Sequence, residues 1–228
     1  MPDANTWTVL ATTARVALGA TLASAPVGIA LGFVLARARF RGKAAVETLV
    51  ALPLVLPPTA IGYLLLAAFS RDGWLGARTL GFDPGVLFTA RGAMLASAIV
   101  ALPLVSRTAR GAFELVDPRL ELMARTLGMS PVRAFLRVTV PLARRGLVAA
   151  VLLGFGRALG EFGATVIVAG NIPGRTQTIA LAIFEDIQLG DDAGALRWVA
   201  LTAALAFALV WCVERLTSAG RAAPGAQA

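Results

Sequence analysis

Residues 117–146 read DPRLELMARTLGMSPVRAFLRVTVPLARRG, and the interpretation of the whole chain turns on this stretch. Asp117 is placed to cap a helix, and Pro118 occupies the first helical position, where a missing N–H costs nothing. Leu120, Met123, Ala124 and Leu127 recur at i, i+3, i+4 and i+7, which predicts a single apolar helix face. Gly128 ends that helix, and Ser130-Pro131 starts a second in the same way. The stretch holds six arginines: Arg119, Arg125, Arg133, Arg137, Arg144 and Arg145. A helix–turn–helix this basic suits DNA, a membrane surface or a protein partner, and the flanks decide between them. Apolar segments long enough to cross a bilayer lie on both sides. The stretch is therefore expected to be a cytoplasmic loop of a membrane protein.

Composition agrees. Of the 228 residues, 57% are hydrophobic and 15% are charged, where a soluble domain carries about a quarter charged residues. Mean hydropathy is +0.76. Helices are the expected spanning element, because lipid cannot satisfy open backbone groups. An all-α membrane protein with about five transmembrane helices is predicted. They are placed near Trp7–Ala36, Ala45–Phe69, Arg91–Val105, Gly146–Ala169 and Leu196–Val213. Pro53 and Pro57-Pro58 are expected to break the second. Residues 70–90 read as an outer loop, residues 171–194 as polar at both ends with an apolar middle, and residues 217–228 as a small, polar tail expected to be disordered. The start, MPDANTW, has no positive n-region, and the apolar run after it is too long for a signal peptide.

The net charge of +8 follows topology. In the five-helix arrangement fourteen Lys and Arg residues fall on one side: Arg37, Arg39, Arg41, Lys43, Arg107, Arg110, the six in the loop, Arg215 and Arg221. Five fall on the other, namely Arg71, Arg78, Arg91, Arg175 and Arg197, while Arg15 and Arg157 lie within spans. The positive-inside rule then puts the N-terminus outside and the C-terminus in the cytoplasm.

Several chemistries are excluded. Cys212 is the sole cysteine and histidine is absent, which rules out an internal disulfide and removes the commonest general base and metal ligand. No metal site is expected. Gly42-Lys43 is no phosphate-binding loop, since Arg37 stands where the first glycine belongs and Ala44 replaces Ser/Thr. A membrane-embedded enzyme is disfavoured, because Glu161 alone cannot run acid–base chemistry. Nucleic-acid binding is disfavoured too, since Phe135 is the only aromatic residue in the basic stretch and stacking needs more.

The segment ELMARTLGMSPVRAFLRVTVPLARRG resembles the cytoplasmic EAA loop of ABC-importer permeases. Gly128 and Pro141 match that pattern. Glu121 sits one place before the usual glutamate, with Leu122 and Met123 where Glu and the first Ala stand in the family. Two further segments, GRALGEFGATVIVAGNIPGRTQT at 156–178 and LPLVLPPTAIGYLLL at 52–66, resemble molybdate-type permeases, so the likeness covers nearly the whole chain. The resemblance implies a single transmembrane permease domain, residues 1–216, with its coupling loop at about 114–142. It implies a homodimer in the inner membrane, two separate ATPase subunits that hold ATP and Mg, and an extracellular oxyanion-binding protein. The chain itself is then expected to bind no cofactor. Molybdate or tungstate is the implied cargo, with a sulfate-type permease of the same architecture as the alternative.

On this reading Leu120, Glu121, Met123, Ala124, Leu127 and Gly128 are the ATPase-docking residues, with Leu120, Met123 and Leu127 as an apolar ridge and Arg119, Glu121 and Arg125 as its polar rim. Taken alone, the residues fit an amphipathic loop on anionic lipid equally well. Pro57, Pro58, Arg157 and Glu161 are the expected path or gate residues. Broken helices often line transport paths, and a lone arginine at mid-bilayer costs about 2.5–3.5 kcal/mol, so Arg157 needs a partner. Glu161, at i+4, is the expected one; mutual neutralisation is the reason for the pair, and a path-lining position its location. Gly156-xxx-Gly160 and Gly28-xxx-Gly32 permit close helix approach, either within one chain or between two copies. The polar segment 171–178 suits an oxyanion, a binding protein or plain solvent.

Overall fold

The computed structural model describes residues 4–218. Of the tail expected to be disordered, residues 219–228 lie outside the described residues, while 217 and 218 continue the last helix. Helix α5 (Ala90–Glu114) is the axis of the fold, with Ala93, Ala96, Val100, Ala101, Val105, Ala109 and Phe113 all buried. Helix α1 (Ala4–Arg37) runs parallel to it: Val16 packs with Ala93 near one end, and Gly32 meets Ser106 and Arg110 near the other. A Cβ on Gly32 would stand 2.8 Å from both the Arg110 nitrogen and the Ser106 carbonyl oxygen. Gly28 likewise faces Val105. The Gly28-xxx-Gly32 pair thus serves packing inside one chain, the close approach that small residues allow where no hydrophobic force drives helices together in lipid.

Helix α8 (Val140–Leu159) runs antiparallel to α5, with Gly146 on Ala112 and Gly154 on Val105. Ala158 joins Ala17, Ala20, Ala98 and Ala101 in one buried cluster. Helix α11 (Asp192–Ser218) returns along α8, its Leu209 against Gly156. Among the described residues, four stretches are long and apolar enough to cross a membrane: Thr6–Arg37, Ala90–Glu114, Pro131–Leu159 and Asp192–Thr217. A fifth arises if α2 (Lys43–Val55) and α3 (Pro58–Phe69), bent by 107° at their break, form one span. Among the described residues the architecture is all-helical, as expected, with four spans, or five when the bent pair is one.

Several boundaries differ from the sequence reading. The third span continues nine residues past Val105, because Arg107 and Arg110 sit in the helix instead of in the loop and Arg110 finds carboxylates there. The helix expected to start at Ser130-Pro131 is no short loop element. After α7 (Pro131–Ala134) the chain passes through a π-helical turn, Phe135–Thr139, directly into α8. Pro141 explains the turn: it offers no N–H to the Arg137 carbonyl and its ring crowds that oxygen, so the chain widens, and Val140 donates to the Phe135 carbonyl. The loop between spans is therefore residues 115–130, shorter than the expected 114–142. The fourth span reaches the expected Ala169, but not as one unbroken helix. After a break at Gly160–Phe162, α9 (Gly163–Ala169) continues along α5, with Ala164 and Val168 packed on Ala96 and Val100. The outer connection after α3 contains a short α4 (Ala77–Leu80), and α10 (Ile179–Leu189) forms the apolar middle of 171–194.

Candidate functional site: two helix breaks and an amphipathic helix

The two broken spans meet at their breaks. Pro57-Pro58 interrupts α2–α3, and Pro58 enters α3 at its first position, where its ring is pre-set for the helix. A Cβ on Gly163 would lie 3.0 Å from the Pro58 Cβ and 3.3 Å from the Thr59 nitrogen. One turn on, Gly62 faces the Ala164 carbonyl and Ile167. The starts of α3 and α9, each with a partial positive charge from its peptide dipoles, thus lie side by side within the membrane-spanning bundle.

Glu161 occupies the second break. Its side chain is buried, at 1% exposure, and its Oε2 is 2.7 Å from Nη1 of Arg157. The other carboxylate oxygen accepts from the Ala164 N–H at 2.9 Å. The expected pair is present, and Glu161 also caps the interrupted helix, a role that i+4 spacing alone does not reveal. Arg157 is less covered, at 31%. It lies on the wall of a cavity of about 650 Å³ between α1, α8 and α11, otherwise lined mainly by Leu and Ala side chains such as Leu10, Leu153 and Leu209. Pro57, Pro58, Arg157 and Glu161, separate in sequence, thus belong to one region. Gly163, one of the small residues that the sequence places along this span, makes the approach possible. Gly156 faces Leu209 within the chain, while Gly160 meets nothing but its own helix at 3.9 Å, so these two glycines do not share a packing face.

Helix α6 (Pro118–Thr126) starts and stops as the sequence predicts. The Asp117 carboxylate accepts from the Arg119 N–H at 2.8 Å, and Ser130 caps α7 in the same way. At the other end Gly128 has φ 89°, with Gly128 N–H on the Arg125 carbonyl and Met129 N–H on the Ala124 carbonyl. This is the double-bonded helix stop that glycine permits. Leu120, Met123 and Leu127 point outward at 42%, 62% and 83% exposure. Two residues assigned to the docking face turn the other way. Ala124 is buried at 7%, because its methyl is the one apolar group on α6 small enough to seat against the core. Glu121, expected in the outward rim, instead accepts a hydrogen bond from the Thr139 hydroxyl at 2.9 Å. Arg119 and Arg125 remain exposed.

Near that end, α2 is held by charge. It has no buried residue, and Glu47 reaches Nη1 of Arg110 at 2.7 Å while Glu114 holds Nε of the same side chain at 2.7 Å. These groups are about a third to a half exposed, so each pair contributes roughly 0.2–1 kcal/mol. Replacing Glu47 with Gln should therefore leave Tm within about 2 °C. It should also loosen α2, read as several-fold faster thiol labelling of a cysteine placed at Val50 in a Cys212→Ser background. Unchanged labelling would mean that α2 is fixed by something else.

At the opposite end, the side-chain amides of Asn171 and Gln177 and the Thr176 hydroxyl are committed internally. Asn171 and Gln177 both donate to the same Glu185 oxygen, and Thr176 donates to the Gly170 carbonyl. The Ile179 N–H donates to the Thr13 hydroxyl of α1 at 2.9 Å. Thr176, Gln177 and Thr178 are buried, leaving Pro173, Gly174 and Arg175 exposed. Beside this segment the Asp186 carboxyl is pushed up, first by burial and then by Asp191 and Glu185, with Arg197 opposing. Arg175 is the one charged side chain of this segment, and it is left exposed.

The comparisons place this geometry in a family. The profile described as "Binding-protein-dependent transport system inner membrane component" matches residues 28–216. The chain is 41% identical over 221 residues to the molybdenum transport system permease protein ModB of Escherichia coli (strain K12), covering 96% of each protein. It is 33% identical over 220 residues to the sulfate transport system permease protein CysW of Synechocystis, covering 95% of this chain and 80% of that one. In fold it matches a bacterial ABC transporter that imports the acidic polysaccharide alginate, with a TM-score of 0.75 at 16% identity over 98% of this chain and 81% of that chain. The match runs through both helix breaks and α6, and the chain belongs to the family of binding-protein-dependent transport system inner membrane components.

Proposed function

We propose that this chain is the permease subunit of an inner-membrane importer for molybdate, or its close analogue tungstate, driven by ATP hydrolysed on partner chains. The observation that carries the cargo is the 41% identity to a molybdenum permease along 96% of both sequences, against 33% for a sulfate permease. Two copies form the path, and each presents α6 to an ATPase subunit. Leu120, Met123 and Leu127, exposed on a capped helix seated by its opposite face, suit a groove of matching shape. The arginine-rich end faces the cytoplasm, as positive-inside bias directs, which leaves 171–178 toward the binding protein. The chain needs no cofactor of its own, since ATP and Mg belong to the partners.

Vesicles containing the permease, its ATPase and its binding protein test the cargo. Uptake of radiolabelled molybdate that requires ATP and withstands excess sulfate is expected; sulfate uptake in its place would move the protein to the sulfate-type class. Docking is tested by Met123→Asp. A charge on the apolar ridge should abolish co-purification of the ATPase and reduce uptake at least tenfold, with Tm unchanged because residue 123 is exposed. Retention of the ATPase by that variant would overturn the docking assignment.

A further inference from the structure

Helix α6 is anchored to the rest of the fold in two different ways. Its N-terminal lead is pinned through Val116, whose carbonyl accepts from Nη2 of Arg37 on α1 at 2.8 Å. Its inner face buries Ala124, a bare methyl, and is tied to the π-helical turn by the bond from the Thr139 hydroxyl to Oε2 of Glu121. A methyl contact resists compression but permits sliding. A hydrogen bond to a charged acceptor is directional and stronger than a neutral one. Thr139 is fully buried at 0% exposure, a place where a hydroxyl is costly unless it is bonded.

The position of Thr139 gives the bond its consequence. It is the last residue of the π turn, and α8 continues from it without interruption to Arg157 and the Glu161 break. The widening caused by Pro141 lies within the same turn. Around it Phe33 of α1 and Phe113 of α5 stack edge-on with each other at 5.3 Å, and Phe135 packs on Phe33 at 4.6 Å. The turn is thus a firm node in which three spans share one apolar cluster. A pull on α6 that acts along the Glu121–Thr139 bond moves the foot of the span whose far end carries the break.

We infer that Glu121 and Thr139 are positioning residues that form the strut between the docking helix and the broken span, so that displacement of α6 is delivered to the Arg157–Glu161 break. This rests on the reading of α6 as the ATPase-docking helix. The role differs from docking itself: the strut faces inward, away from Leu120, Met123 and Leu127.

The test separates transmission from docking. Thr139→Val keeps the shape and removes the hydroxyl; Thr139→Ser keeps the hydroxyl. Each is reconstituted with the ATPase and binding protein, and three quantities are read: ATPase retained on purification, ATP hydrolysed, and radiolabelled molybdate moved per ATP. The Val variant should retain the ATPase and hydrolyse ATP, yet move about tenfold less molybdate per ATP, the low end of what losing a bond to a charged acceptor costs. The Ser variant should return to within about twofold of the parent. An unchanged molybdate-to-ATP ratio in the Val variant would overturn the strut. Loss of the ATPase from the Val variant would also overturn it, since the bond would then merely shape the docking face. Should the parent chain itself retain no ATPase, the docking reading fails first, and that control distinguishes the two failures.

Discussion

Replacing Arg157 by methionine is expected to cost the protein about 3–5 kcal/mol of stability, the penalty for removing one partner of a buried ion pair. The side chain that suffers is Glu161, whose carboxylate is 1% exposed and is held by Nη1 of Arg157 at 2.7 Å and the Ala164 N–H at 2.9 Å. One backbone donor cannot replace a guanidinium in a water-poor site. Total stabilities of about 5–15 kcal/mol leave little margin, so Tm in detergent should fall by about 10 °C and the yield of monodisperse protein with it. Glu161→Gln is the milder change, at about 2 kcal/mol. Its amide oxygen still accepts from Ala164, and Arg157 keeps partial access to its cavity. The double variant Arg157→Met/Glu161→Gln leaves no buried charge and should recover most of the folded yield. Normal folding of Arg157→Met alone would show that Glu161 does not depend on the guanidinium. If the double variant folds and transports normally, the pair neutralises charge and does nothing further; if it folds but fails to transport, the pair acts in the path.

How far the sequence revealed these sites varies with the kind of signal. Asp117, Pro118 and Gly128 mark the ends of α6 because capping is a local matter, written in a few adjacent residues. The side on which α6 rests is not local. With Leu120, Leu122, Met123, Ala124 and Leu127 spread around more than half its circumference, periodicity cannot choose a seat, and the core selected Ala124 for size and Glu121 for Thr139. The break at Pro57-Pro58 is legible because proline forbids a helical bond. The break at Gly160–Phe162 contains no proline; it persists because Glu161 reaches forward to cap Ala164. Two glycines around a carboxylate carry that signal, but inside an apolar run they read equally well as helix packing. Conversely, Pro141 interrupts the helical bonding without ending the helix, because the π turn absorbs it. The charges at Arg107 and Arg110 shortened the expected third span for a related reason: hydropathy registers their cost and misses Glu47, 63 positions away along the chain.

The contact between the two breaks makes the second strong prediction. A Cβ at Gly62 would lie 2.9 Å from the Ala164 carbonyl oxygen, 3.0 Å from the Ala164 Cα and 3.0 Å from the Ile167 Cβ. Two of these are backbone atoms on a helix pinned by the Glu161 cap, so they cannot step aside as a flexible side chain would. Gly62→Val must push α3 off α9. The expected cost is about 3 kcal/mol, the upper part of the overpacking range, which is a fall of about 5–10 °C in Tm. A Tm within about 2 °C of the parent would mean that the two half-helices are not held together by this contact. Gly160 supplies the comparison. It ends α8 at φ −91° with no neighbour nearer than its own Gly156 carbonyl at 3.9 Å, so Gly160→Ala clashes with nothing in the chain and should leave Tm unchanged or slightly raised. That neutral result tests the helix approach within one copy. If Gly160→Ala keeps its Tm but shifts the detergent-solubilised protein from dimer to monomer, the glycine meets a second copy, and the small-residue pair divides its work: Gly156 on α11 in the same chain, Gly160 across the interface.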